Sequence, residues 1–144
     1  MESGTPRRDT AGAMSEENVE VVRRVIDYVN ETGEAGPLEL YDAQVTFTTR
    51  GDVSGAETFT GHRGMADAVA SFADAWAKTT AHIVELVDSD DVVVAVVRIE
   101  LLSQTGVELE VEEAWAYWLR ERKLTRIEQH GSRRQALEAA GLSG

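Results

Sequence analysis

Arg98 and Glu100 are the residues whose types and spacing most directly suggest chemistry. They lie two apart in a run of strand-forming residues, so both side chains leave the same side of the chain. An arginine there could neutralise a carboxylate or an enolate. The glutamate could orient a hydroxyl or accept a proton. The pair could equally satisfy itself, because two charges on an apolar face need partners.

The run that carries them, from Val92 to Leu101, is apolar on both alternating sets. Val92, Val94 and Val96 share the side of the charged pair, whereas Val93, Ala95, Val97, Ile99 and Leu101 form the other. A strand buried on both faces has this composition. On the following predicted strand Glu112, Ala114, Ala116 and Trp118 are expected to face the same interior as the pair. Two alanines leave room for a ligand, and Trp118 supplies an apolar wall. Gln129, on the last predicted strand, is placed to hydrogen-bond the pair or the ligand. The odd set, with Leu109, Val111, Trp115, Tyr117 and Leu119, then points outward. An apolar face that one small domain cannot cover predicts a homodimer through the outer sheet face.

Other chemistries find little support. The chain has no cysteine, so it has no thiolate ligand and no thiol nucleophile. His62, His82 and His130 lack metal-motif spacing, and no metal or cofactor is expected. All three are expected at surface or boundary positions; His82 falls on the set with Val84 and Leu86, where a polar group in a pocket wall is the alternative. Glu112 and Glu113 point to opposite faces and cannot form an acid–base dyad. Gly61 and Gly64 fit a turn and a close helix approach, not a phosphate-binding loop.

The elements that position these residues follow from periodicity. Residues 1–13 are polar and aperiodic and read as a disordered arm, with the domain spanning 14–144. Ser15 is the expected N-cap of a first helix, with Asn18 at its third position. Val19, Val22, Val25, Ile26 and Val29 form the buried stripe of that helix, and Tyr28 sits at its edge. A short helix from Pro37 to Tyr41, a strand from Gln44 to Thr49 and a loop from Arg50 to Thr60 come next. A helix over Met65–Lys78 buries Met65, Val69, Phe72 and Trp76. Four strands follow in a meander, and a short helix capped by Ser132 closes the chain. Helices gathered on one face of a mostly antiparallel sheet make the fold class α+β.

Charge narrows the partners. With 26 acidic against 14 basic residues, the net charge of −12 argues against nucleic acid and gives no attraction to anionic membranes. No run has the length of a membrane span and no early apolar segment suggests a signal peptide, so a cytoplasmic location is expected.

The stretch MSEENVEVVRRVIDYVN (14–30), the sequence FTGHRG (59–64) and the closing RRQALEAAGL (133–142) resemble the SnoaL-like branch of the NTF2-like superfamily. The resemblance spans about residues 14–142. It implies a cone or half-barrel: a curved, mixed but mostly antiparallel sheet wrapped around the N-terminal helices and a deep pocket, in many members dimeric. The expected ligand-pocket residues are Val25, Tyr28, Phe47, Trp76, Ala114, Ala116, Trp118 and Gln129. The superfamily hosts ketosteroid isomerases, polyketide cyclases and limonene-epoxide hydrolases beside non-catalytic binders, so fold alone does not give function. Similarity to the isomerases puts their proton-handling positions on Val25, Ala114 and Phe47, which can move no proton. Similarity to the epoxide hydrolases puts the arginine–carboxylate pair on Arg98 and Glu100. Gln129 then replaces their second acid, and Val45 and Phe47 replace their water-holding groups. The expected function is binding of a small molecule in an apolar pocket holding Arg98 and Glu100. A cofactor-independent enzyme or a dimerisation scaffold are the alternatives.

Overall fold

The computed structural model describes residues 6–50 and 56–142, with side chains from residue 16 onward. Helix α1 (Pro6–Thr32) leads to a 3-10 turn (Leu38–Leu40), strands β1 (Tyr41–Thr48) and β2 (Thr58–Thr60), and helix α2 (Gly61–Ala75). Strands β3 (Lys78–Ser89), β4 (Val92–Leu102), β5 (Glu108–Arg120) and β6 (Lys123–His130) follow, then helix α3 (Arg133–Ala139). The sheet order is β2-β1-β6-β5-β4-β3. All neighbours are antiparallel except β1 and β6, which run parallel. The meander and the α+β class are as the sequence predicts.

Turn chemistry sets the meander. Asp90 turns β3 into β4 at φ +38°, and Glu121 and Arg122 join β5 to β6 at φ +53° and +64°. Two consecutive left-handed residues suit the right-handed strand twist of a tight hairpin, here without glycine. At the far end of β4, Gly106 takes φ +92° in the loop to β5.

Several boundaries differ from expectation. Helix α1 already runs through the described residues 6–13, ahead of the expected start at Met14, and residues 7–13 contain no proline to interrupt it. Ser15 is therefore inside α1 and not its N-cap. Asn18, instead of capping, donates from Nδ2 to the Asp90 carbonyl at 2.9 Å and ties α1 to the β3–β4 turn. The segment after Pro37 is a 3-10 turn, since Tyr41 already begins β1. Part of the loop expected between Arg50 and Thr60 pairs as β2, and residues 51–55 of it lie outside the described residues, as do 1–5.

Two cores flank the sheet. On the concave side Val22, Val25 and Ile26 of α1 and Met65 of α2 pack on Val93, Ala95, Val97 and Ile99 of β4 and on Tyr117 and Ile127. On the convex side Ala136 and Leu137 of α3 pack on Val94, Val96, Ala114 and Ala116. This corrects the predicted orientation: the odd residues of β4 and β5 face the helices, and the even residues face out. Of the apolar face held to need a second subunit, Trp115, Tyr117 and Leu119 pack into the concave core of the same chain, whereas Leu109 and Val111 stay exposed.

The six buried residues Val92–Val97 mark the part of β4 covered on both sides. Past Val96 the short α3 ends its cover, so Arg98 and Glu100 emerge into water while Ile99 and Leu101 stay inside. A bulge between Ile83 and Glu85 also flips parity along β3. His82, opposite Arg98, is therefore on the convex face, whereas Leu86, opposite Ala95, packs into the concave core; the shared set expected for them does not exist.

Candidate functional site

The concave face, α1 and α2 enclose a cavity of about 770 Å³. Val25 and Val29 of α1 and Val69 and Phe72 of α2 form two walls, with Phe47, Trp115, Tyr117 and Gln129 on the sheet. Gly64 permits the approach of α2: a Cβ there would stand 3.1 Å from the Phe59 carbonyl carbon. At the end of α1, Asn30 donates to the Ala81 carbonyl (2.8 Å) and accepts from the Ala81 N–H (2.9 Å). Its amide thus pairs with edge strand β3 as a neighbouring strand would, and fixes α1 against the sheet. On α2, His62 Nε2 lies 3.0 Å from the Tyr41 carbonyl.

Four of the residues predicted for the pocket, Val25, Phe47, Trp76 and Gln129, line this cavity. The others do not. Ala114 and Ala116 are buried beneath α3, so their small size makes room for a helix and not for a ligand. Trp118 lies on the convex face with the Arg126 guanidinium 4.3 Å from its ring centre. Tyr28 packs near Gly36, outside the lining.

Arg98 and Glu100 are also outside the cavity, which corrects the central expectation. Nor do they pair with each other. Arg98 Nε approaches Glu110 Oε2 at 3.3 Å, and His82 Nε2 approaches Glu100 Oε1 at 3.3 Å. The register sets Glu100 directly opposite Glu110, and the Arg98 contact offsets that like-charge pairing. All four side chains are substantially exposed, so each contact is worth about 0–1 kcal/mol.

The ion pair of the concave side is a different one. Arg50 Nη1 meets Glu113 Oε2 at 3.0 Å, and Trp115 Nε1 donates to Glu113 Oε1 at 2.8 Å. Glu113 has 14% of its side chain exposed, against 55% for Glu100. Its carboxylate spans a guanidinium and an indole N–H, and so fixes the Trp115 ring that lines the cavity. The usable signal in the sequence was the i, i+2 spacing of Glu113 and Trp115 on the face shared with Tyr117.

Tyr41 and Tyr117 are the buried ionisable groups of the cavity wall. Tyr41 donates its hydroxyl to the Ala35 carbonyl. Burial raises both phenols well above their ordinary range, and for Tyr117 the nearby Tyr41 adds to the rise. Among the described residues the Tyr117 hydroxyl and the Gln129 amide have no side-chain hydrogen-bond partner. Trp115 pairs with Gln129 and Tyr117 with Ile127, which makes Tyr117 and Gln129 diagonal neighbours about 7 Å apart on one face. Two polar groups thus stand open in a wall that is otherwise mainly apolar. Among the described residues no cluster of histidine and acidic side chains could hold a metal ion. No helix among them is long and apolar enough to cross a membrane.

No protein-family model matches the chain. No curated protein matches it either. Solved structures do. Bal32a, from a soil-derived mobile gene cassette, is 20% identical with a TM-score of 0.73, covering 88% of this chain and 97% of that one. An NTF2-like protein of unknown function from Burkholderia pseudomallei is 16% identical with a TM-score of 0.70, covering 85% and 95%. TerC, co-crystallised with polyporic acid, is 18% identical with a TM-score of 0.69, covering 85% and 96%. Further matches are described as SnoaL-like and as having a ketosteroid isomerase-like fold. The chain has the NTF2-like fold.

Proposed function

We propose that the chain binds a small, largely apolar molecule in the concave cavity, through a hydroxyl or carbonyl that bonds Tyr117 and Gln129. The observation that carries this reading is the pair of polar groups that have no side-chain hydrogen-bond partner among the described residues, in an apolar cavity of about 770 Å³. A pocket of that size suits a drug-sized ligand, and a few convergent polar groups in an apolar lining fix its orientation. A hydroxyl standing in an apolar wall gains a partner when a ligand supplies one, which favours ligands that do so over pure hydrocarbons. TerC, of the same fold, was crystallised with polyporic acid, in keeping with a cavity that accepts a small molecule.

Binding is favoured over acid–base catalysis by the state of the ionisable groups. Glu113 is held by Arg50 and Trp115, and both tyrosines are kept protonated by burial. Neither phenol is poised near neutrality to exchange a proton. The epoxide-opening reading loses its basis, because the matching arginine and glutamate face outward.

Thermal-shift screening of hydroxylated aromatics and oxygenated terpenoids tests the proposal. A ligand present at a hundredfold excess over its Kd stabilises the folded state by about 2.7 kcal/mol, which a melt resolves. Hits should weaken about tenfold or more in Tyr117→Phe combined with Gln129→Leu, as loss of a paired polar contact requires. Arg98→Ala should keep them unchanged. Hits that ignore the double variant but vanish with Arg98→Ala would place the site on the convex face and defeat the reading.

A further inference from the structure

Building on that reading, we infer that the preferred ligand is an organic ammonium ion with an apolar body, held by the aromatic rings of the cavity. The chain has three phenylalanines, three tryptophans and three tyrosines. All three phenylalanines, two of the tryptophans (Trp76 and Trp115) and two of the tyrosines line this one cavity. An aliphatic wall would serve a neutral hydrocarbon equally well. Aromatic faces add a negative electrostatic surface that attracts cations, and most strongly so for tryptophan in a desolvated site.

The surroundings agree in sign. Among the described lining residues no arginine occurs, and the one lysine, Lys78, is exposed at the rim, where Glu57 is exposed as well. The Trp115 indole N–H is directed onto the Glu113 carboxylate at 2.8 Å. Donation to a carboxylate leaves the ring richer in electrons and its faces more attractive to a cation. Arg50 takes the other carboxylate oxygen at 3.0 Å, so the local charge is balanced and the effect is exerted through the ring. Tyr117 and Tyr41 stay neutral phenols. The Tyr117 oxygen and the Gln129 carbonyl oxygen can accept from an N–H or O–H of the ligand. At a net charge of −12 the whole molecule draws cations toward the mouth.

The test compares two molecules of equal shape, para-trimethylammoniophenol and para-tert-butylphenol, by isothermal titration calorimetry on the full chain below neutral pH, where both phenols keep their proton. The cation should bind about tenfold more tightly. Trp76→Leu, which removes a ring without breaking a hydrogen bond, should erase most of that preference while the neutral phenol changes less. Trp115→Leu should act likewise, and circular dichroism establishes that each variant is folded. Equal or tighter binding of para-tert-butylphenol would overturn the inference and leave the small-molecule reading standing. Binding of neither probe would count against both.

Discussion

Tyr117 shows what parity does to a residue's meaning. Assigned to an outer face, it is one of a row of apolar residues awaiting a partner. On the concave face it is a buried phenol beside Tyr41. The sequence could show that odd and even residues of β5 separate, and that Glu112 and Glu113 part company. It could not show which set faces in, because both sets are apolar where α3 and the concave helices each cover one side. Arg98 and Glu100 attracted notice as charges on an apolar strand, yet they only mark where the cover of α3 stops. Burial of the two phenols has a consequence in alkali. Their folded values lie above the ordinary value of about 10, so below that pH both folded and unfolded chains keep the protons. As pH rises past about 10 the unfolded chain releases protons that the folded one holds, and stability falls by up to about 1.4 kcal/mol per pH unit for each group. Urea midpoints measured across that range should decline steeply in the wild type. In Tyr117→Phe, with one such group left, the slope should be about half; an unchanged slope would mean Tyr117 titrates freely.

At the scale of elements, the longer strands and helices were legible because each has a clean period or a turn to end it, whereas the three-residue β2 was hidden in a loop. The β3–β6 meander needed only its turn residues. The N-cap of α3 was also readable, and Ser132 Oγ accepts from the Gln135 N–H at 3.2 Å. What α3 does was less so. Its seven residues look like a tail, but Ala136 and Leu137 are buried on Ala114, Ala116, Val94 and Val96. Arg133 clamps it to β3, with Nε 2.9 Å from Glu85 Oε1 and Nη2 3.1 Å from Oε2. The guanidinium holds the Glu85 carboxyl below its usual range. Two alanines on β5 therefore read as a space left for a ligand when they are the seat of a helix. Ala116→Leu discriminates the two. Enlarging a residue under a packed helix costs about 1–3 kcal/mol and should lower the melting temperature without touching ligand affinity. A variant that keeps its stability and loses its ligands would return Ala116 to the pocket.

For the molecule as a whole, exchange of the two faces changes what self-association would rest on. A twofold dimer through the outer sheet face was expected from an apolar surface that proves to be the inner one. The convex face carries α3 at one end and, beyond it, Glu108, Glu110 and Glu112 alternating along β5 beside Glu100. Arg98 offsets part of this charge and is already engaged by Glu110. A twofold axis through this region would set like rows against each other, on protomers that each carry −12. Contact there becomes favourable only as counter-ions screen the repulsion, and the Debye length falls from about 30 Å at 0.01 M to about 3 Å at 1 M salt. Sedimentation velocity across that range should find monomer at low ionic strength and a dimer fraction that grows with salt. Changing Glu110 and Glu112 to glutamine should bring dimer formation down to lower salt. A dimer that persists unchanged at the lowest ionic strength would need an apolar interface elsewhere, and the exposed Val107, Leu109 and Val111 at the free end of the β4–β5 hairpin would be the place to substitute first.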